Sequence, residues 1–131
     1  MDTDPRQWLG REAERIVAEG LEALGWEVVE RNARFRTGEI DLVARDGSSL
    51  VFVEVKASRS RRNSTSAGPE RPVLAVDSRK QSRLRALAAR WLMERDCPAG
   101  IEDFRFDVVG VEFAGDGPEA IPRLEHLRGA F

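Results

Sequence analysis

The 131-residue sequence holds one cysteine, one histidine and two lysines. A lone cysteine, Cys97, makes no internal disulfide, and with His126 as the sole imidazole a zinc site built from histidine and cysteine is excluded. Long apolar runs are missing too. None approaches the roughly eighteen residues a membrane span needs, so no membrane partner is expected. The opening stretch MDTDPRQWLGREAERIV has neither a basic start nor an apolar segment behind it. Nothing in it suggests export, and the expected compartment is the cytoplasm. Hydrophobic residues make up 41% and charged residues 34%, an ordinary globular composition. The length suits a single domain, 1–131, with its own core.

The scarcity of lysine is more telling. Of 21 basic residues nineteen are arginine, and only Lys56 and Lys80 are lysine. Lysine differs from arginine in being a compact ammonium whose pKa moves readily on burial, so the places where it survives matter. The net charge of −2 argues against a protein that simply coats a nucleic-acid backbone. Its distribution is uneven, however. From Ala57 to Arg95 ten basic residues face three acidic ones, a net +7 that leaves −9 on the rest. Such a zone is compatible with docking a polyanion, and equally with the solvated face of a helix.

Asp4-Pro5 has the form of a helix start. Leu9, Ala13, Ile16, Val17, Leu21 and Leu24 then recur at helical spacing up to Gly25, which predicts a helix over 5–24. WEVVERN (26–32) reads as a short strand, followed by a connection, ARFRTG, and a hairpin with strands near 38–45 and 50–58. Residues 59–72, RSRRNSTSAGPERP, are nearly devoid of apolar groups and predict a mobile basic loop. A second helix is expected over 78–95, capped by Ser78 with Gln81. Its buried stripe is Leu84, Leu87, Ala88, Trp91 and Leu92. FRFDVVGVEF (104–113) is a fourth strand, AGDGPE a turn, and IPRLEHLRGAF a closing segment of unassigned type. Helix, three strands, helix and strand make an α/β arrangement around a mixed sheet of about four to five strands flanked by helices.

The hairpin carries the functional signal. A turn at Gly47-Ser48 pairs Asp46 with Ser49. In the register that follows, Asp41 lies across from Glu54 and Glu39 across from Lys56. Alternation places Ile40, Leu42, Ala44, Val51, Val53 and Val55 on one apolar face, with Asp41, Glu54, Glu39 and Lys56 gathered at one end of the other. An amphipathic hairpin with a wet polar face accounts for Glu39 opposite Lys56. It does not account for Asp41 opposite Glu54, because like charges facing across a ladder are destabilising by roughly 0.2–1 kcal/mol. A hard divalent cation between them would reverse the sign, and an adjacent lysine can polarise water or offset charge on a phosphate.

Asp41, a turn, then Glu54-Val55-Lys56 resembles the PD-(D/E)XK signature of restriction-endonuclease-like nucleases, without the proline before the aspartate. The wider pattern is similar to the YraN-like family of bacterial proteins and covers nearly the whole chain. It comprises GR-x-x-E (Gly10, Arg11, Glu14), GW then RN (Gly25, Trp26, Arg31, Asn32), GEIDLV, FVEVK, Lys80, RFDVV (Arg105 to Val109) and a terminal EH-x-x-x-AF. Two departures are visible: Ala13 stands where the family has glycine, and the segment after Lys56 is longer and richer in serine and arginine.

The resemblance implies a restriction-endonuclease-like αβββαβ core and a metal-dependent endonuclease activity. Its residues, carried over one by one, make Asp41 and Glu54 ligands of Mg²⁺ (or Mn²⁺) together with the Val55 carbonyl, Lys56 the catalytic lysine and Glu14 a supporting acid. Lys80 sits on the inward stripe of the second helix, at the end that favours anions, where a phosphate contact is the sharper reading and a snorkelling lysine the plainer one. With Arg61, Arg62, Arg79 and Arg83 it is expected to hold nucleic acid, DNA before RNA; a homodimer is left open. Asp107 reads as a structural acid. Two other readings stand beside the nuclease: a non-catalytic nucleic-acid-binding module with the same fold, and a protein-interaction domain whose charges form a structural ion network.

Overall fold

A computed structural model describes residues 5–60, 76–114 and 121–131 of the chain. The elements are α1 (Pro5–Ala23), β1 (Glu27–Phe35), β2 (Gly38–Asp46), β3 (Ser49–Ser60), α2 (Ser78–Glu94), β4 (Asp103–Ala114) and β5 (Ile121–Leu127). The five strands form one mixed sheet in the order β1-β2-β3-β4-β5. Only β3 and β4 run parallel. A parallel pair cannot be closed by a tight turn and needs a crossover; the connection between these two strands contains α2. Among the described residues no helix is long and apolar enough to cross a membrane.

The helices cover opposite faces of the sheet. Ala13, Val17, Ala18 and Leu21 of α1 pack on Leu42, Ala44, Val51, Val53, Val109, Val111 and Phe113. Leu87, Ala88 and Trp91 of α2 pack on Ala33, Ile40, Val43, Leu50 and Phe52. Val55 alternates with Glu54 and Lys56 along β3, so that strand presents apolar groups to α1 and its charges elsewhere. Gly25, at φ 89°, ends α1 in a Schellman motif. Trp26 N donates to Leu21 O and Gly25 N to Glu22 O, both at 3.0 Å. Leu24, read from its spacing as part of the apolar stripe, falls in this turn and is exposed.

Other boundaries differ from the sequence reading for local reasons. The N-cap of α2 is Asp77 rather than Ser78: its carboxylate accepts from Lys80 N at 2.9 Å, a stronger cap than a hydroxyl one residue later. The first strand continues through 33–35, the start of the segment read as a connection, because it pairs with β2 down to Phe35–Gly38. The closing segment is β5, held against β4 from Ile121–Ala114 to Leu127–Val108. The third strand reaches Ser60, two residues into the stretch read as a loop. The rest of that loop, with Arg61 and Arg62, lies outside the described residues, as do Asp4 and most of the AGDGPE turn.

The hairpin register is the one expected from the turn. Asp46–Ser49, Arg45–Leu50, Ala44–Val51, Val43–Phe52 and Leu42–Val53 are paired, with Gly47 at φ 60° supplying the left-handed turn residue. The ladder stops there. Ile40 lies with Val43 and Phe52 under α2, not with Leu42 and Ala44 under α1, so strict alternation is broken around Asp41. That break corrects the apolar face drawn from the sequence, and it opens the sheet at the place where the charges gather.

Candidate functional site

Where the β2–β3 ladder ends, a side chain takes over from the backbone. Val55 N donates to Asp41 Oδ2 at 2.8 Å. A strand residue sends its N–H and C=O toward the same neighbour, so the Val55 carbonyl faces this gap as well. Glu54, buried and 6% exposed, places its charge near enough to the Asp41 carboxyl to act on it. From the other side α1 brings Glu14, with a carboxylate oxygen within 4.8 Å of one on Asp41. Glu14 of α1, Asp41 of β2 and Glu54 of β3 thus approach one another from three elements.

Glu39 completes the group in a role the sequence did not suggest. It was expected across from Lys56, but that end of β2 pairs with β1, Arg34 facing Glu39, and the β3 ladder never reaches it. Glu39 instead forms an ion pair with Arg34 at 3.4 Å. Carboxylate oxygens of Glu14, Glu39 and Asp41 all lie within 4.8 Å of one another. Asn32 lies between two of these acids. In the orientation that satisfies both, its amide nitrogen donates to Glu39 Oε1 at 2.7 Å and to Glu14 Oε2 at 2.9 Å. Its φ of 52° is in the left-handed region, which asparagine tolerates better than most residues. The asparagine of the RN pair was visible in the sequence, but nothing local marked it as a neighbour of the acids.

The two lysines stand on the opposite flank. Lys80, from the first turn of α2, lies 2.8 Å from Glu54 Oε1, and Lys56 Nζ lies 3.6 Å from the same oxygen. Arg79 and Arg83 are exposed further along the surface of α2, and the stem of Arg83 passes near Gly38.

The electrostatics follow from this layout. Burial first, then the charge of Glu54, pushes Asp41 up to about 8, although the Val55 amide opposes the rise. Burial also raises Glu14, with the charges of Glu39 and Glu54 adding to it. Lys56 is lowered by burial and by its neighbour Lys80. For Lys80 burial works against the charge, yet Glu54 outweighs it and the ammonium is held above its ordinary value.

The carboxylates thus form an oxygen-only donor set in which burial and neighbouring negative charge raise Asp41 and Glu14. Mg²⁺ and Mn²⁺ prefer donors of this kind, and Glu14, Glu39 and Asp41, with Glu54 beside them, can supply them. A cavity of about 460 Å³ opens onto the cluster, lined by Gln7, Gly10, Arg11, Glu14, Asn32, Arg34 and Glu39. A roomier hollow of about 650 Å³ between the end of α1 and β1 has no such convergence: Glu22 is paired with Arg31, and Glu30 with Arg95.

The αβββαββ order and the five-stranded mixed sheet between two helices make this an α/β protein with acids gathered where its central hairpin opens. The profile of the family described as Uncharacterised protein family UPF0102 matches residues 13–111. A UPF0102 protein of Frankia casuarinae is 46% identical, over 94% of this chain and 95% of its own. One from Beutenbergia cavernae is 50% identical, over 92% and 93%, and one from Anaeromyxobacter dehalogenans is 46% identical, over 99% and 88%. The chain belongs to the UPF0102 family, the YraN-like group its motifs resemble.

Proposed function

We propose that this protein is a Mg²⁺- or Mn²⁺-dependent nuclease that hydrolyses phosphodiester bonds of nucleic acid, DNA before RNA. The observation that carries the reading is the convergence of carboxylate oxygens of Glu14, Glu39 and Asp41 within 4.8 Å of one another, where burial and the charge of Glu54 also push the half-buried Asp41 carboxyl up. A group that holds its proton in this way is poised to exchange it for a cation.

In this reading Asp41 and Glu54 are the principal ligands, with the Val55 carbonyl, and Glu14 and Glu39 close the acidic side. The ion, when bound, lowers the pKa of water and stabilises charge on phosphoryl oxygens. Lys56, whose ammonium is lowered by burial and by Lys80, orients the attacking water or offers its Nζ proton to charge developing on the phosphate. Lys80, Arg79 and Arg83 hold the backbone of the substrate through charge, with no reading of bases. Arg61 and Arg62, outside the described residues, are expected from the sequence to share this role.

One observation favours the non-catalytic alternative, a nucleic-acid-binding module with this fold: Glu54 is already engaged by Lys80 at 2.8 Å. The two readings separate on a panel of structured DNA and RNA substrates incubated with Mn²⁺, with variants purified in parallel. The nuclease reading expects cation-dependent cleavage that falls about 10²–10³-fold in Asp41→Ala and Lys56→Ala while nucleic-acid binding persists. Cleavage that survives in Lys56→Ala, or binding with no cleavage on any substrate, overturns it.

A further inference from the structure

We infer that the strand beside the scissile phosphate is taken with its bases unpaired, one of them stacked on Trp8. This inference rests on the nuclease reading of the site and names its substrate class.

Three observations lead to it. First, Trp8 is 49% exposed, whereas Trp26 and Trp91 are 7% and 1% exposed. Among the described residues no aromatic ring or arginine packs on its indole. Second, Trp8 belongs to the same helical segment as the acidic site. It is three residues from Arg11, the spacing of surface neighbours on a helix, and Arg11 lines the cavity that opens onto Glu14 and Glu39. Third, the remaining polar lining has the right chemistry for a nucleotide. Arg11 and Arg34 supply guanidinium groups at the mouth, and Arg11 has no ion-pair partner among the described residues.

A cavity of about 460 Å³ has room for one nucleotide-sized group. A base inside a duplex has both faces covered by its stacked neighbours, so an indole cannot lie on it. A base in a single strand, flap or gap offers a free face. Stacking of this kind tolerates any base, and the guanidiniums track the backbone without reading it.

The test uses the fluorescence of full-length Asp41→Asn protein without divalent metal, so that binding is separated from cleavage. With the other two tryptophans buried, a ligand-induced change in emission reports Trp8. Titration with oligothymidylate about fifteen nucleotides long is expected to quench it. A duplex carrying an unpaired tail should do the same, and a blunt duplex of equal length should not. Trp8→Ala in the same background is expected to weaken oligothymidylate binding roughly five- to tenfold, and Trp8→Phe to restore most of it. Equal affinity of Trp8→Ala and its parent for the oligonucleotide overturns the inference, as does equal quenching by blunt duplex. It also falls if Trp8→Ala removes concentration-dependent self-association while leaving the oligonucleotide affinity unchanged. The two readings fail separately. Loss of cleavage in Asp41→Ala with no effect of Trp8→Ala on binding keeps the nuclease and removes this docking mode. Absence of cleavage on every substrate, with Trp8-dependent single-strand binding intact, removes the nuclease and keeps the docking mode.

Discussion

Asp41, half-buried, and Asp107, fully buried, are carboxylates on interior strands of one sheet, and their surroundings could hardly differ more. Asp107 is fully buried and saturated with donors. Arg105 Nε reaches it at 2.9 Å, Gly129 N at 3.0 Å, and His126 Nε2 stands 2.8 Å away. Burial alone would raise its pKa, but His126, Arg105 and the Gly129 amide reverse that and hold it below the usual carboxylate range. Asp41 receives one backbone N–H, from Val55, and otherwise faces Glu54 and Glu14, so it is pushed up to about 8. Burial is common to both; the sign of the neighbouring charge differs. A fold that buries a carboxylate for structure surrounds it with donors, as around Asp107. The Asp41 cluster leaves a deficit of positive charge that a ligand could fill.

Asparagine at each position should therefore have opposite consequences. Asp107→Asn removes the charge that Arg105 and His126 are arranged to meet. It is expected to destabilise the protein by about 2–3 kcal/mol, read from the urea midpoint at neutral pH. A loss under about 0.5 kcal/mol would mean the network is ornamental and the contrast unfounded. Next in size is Lys80→Met, which strips the nearer cation from buried Glu54 and leaves it to Lys56 at 3.6 Å. A loss of about 1–2 kcal/mol is expected in metal-free protein, with Mn²⁺ recovering part of it by occupying the enlarged negative site. A Lys80→Met protein as stable as wild type would show that Glu54 does not depend on this partner.

Asp41→Asn should be the mildest of the three, neutral or stabilising by up to about 1 kcal/mol without metal at pH 8, because it removes one of several crowded carboxylates. On the proposed reading Mn²⁺ should raise the melting temperature of wild type, and the same substitution should abolish that rise.

The pH dependence sharpens the contrast. For Asp41 the folded value is raised, so between its unfolded pKa near 4 and about 8 the folded state binds more protons than the unfolded one. Metal-free stability should then decline as pH rises through that window, and Asp41→Asn should flatten the decline. For Asp107 the folded value is lowered, so its contribution is present above the unfolded pKa of about 4 and is lost as pH falls through the folded value. Thermal melts of wild type and the two variants from acid to neutral pH measure both. If Asp41→Asn leaves the upper slope unchanged, the raised carboxyl does not reside at Asp41.

Much of this arrangement could be read from the chain. The Gly47-Ser48 turn and the period-two pattern of its strands set the hairpin register as far as Leu42–Val53; the approach of Asp41 to Glu54 was read from extending it, whereas the ladder itself ends one pair earlier. Lys80 was legible as an inward residue at the start of α2 from its spacing to Leu84 and Leu87. Its partner was not: Glu54 comes from a strand that the residues between the two elements do not position. Glu39 shows the limit most clearly. Extending the hairpin ladder by arithmetic pairs it with Lys56, but β2 at that point is engaged by β1 and parts from β3. Asn32 was visible only as a motif letter, since its backbone conformation answers to a pairing with a strand not yet formed. The edge strand β5 escaped because a short, half-apolar segment becomes a strand only when a neighbour offers its hydrogen bonds.

The chain by itself determined the order of the elements, the turn, the apolar stripes and the proximity of two acids, because each depends on contacts between residues near in sequence and on the fixed periods of helix and strand. Tertiary structure decided where the central ladder ends, which acids and cations meet there, and whether a buried carboxylate is compensated. Those outcomes depend on charges brought together from α1, β1, β2, β3 and α2, whose electrostatic sum is defined only once all five are in place.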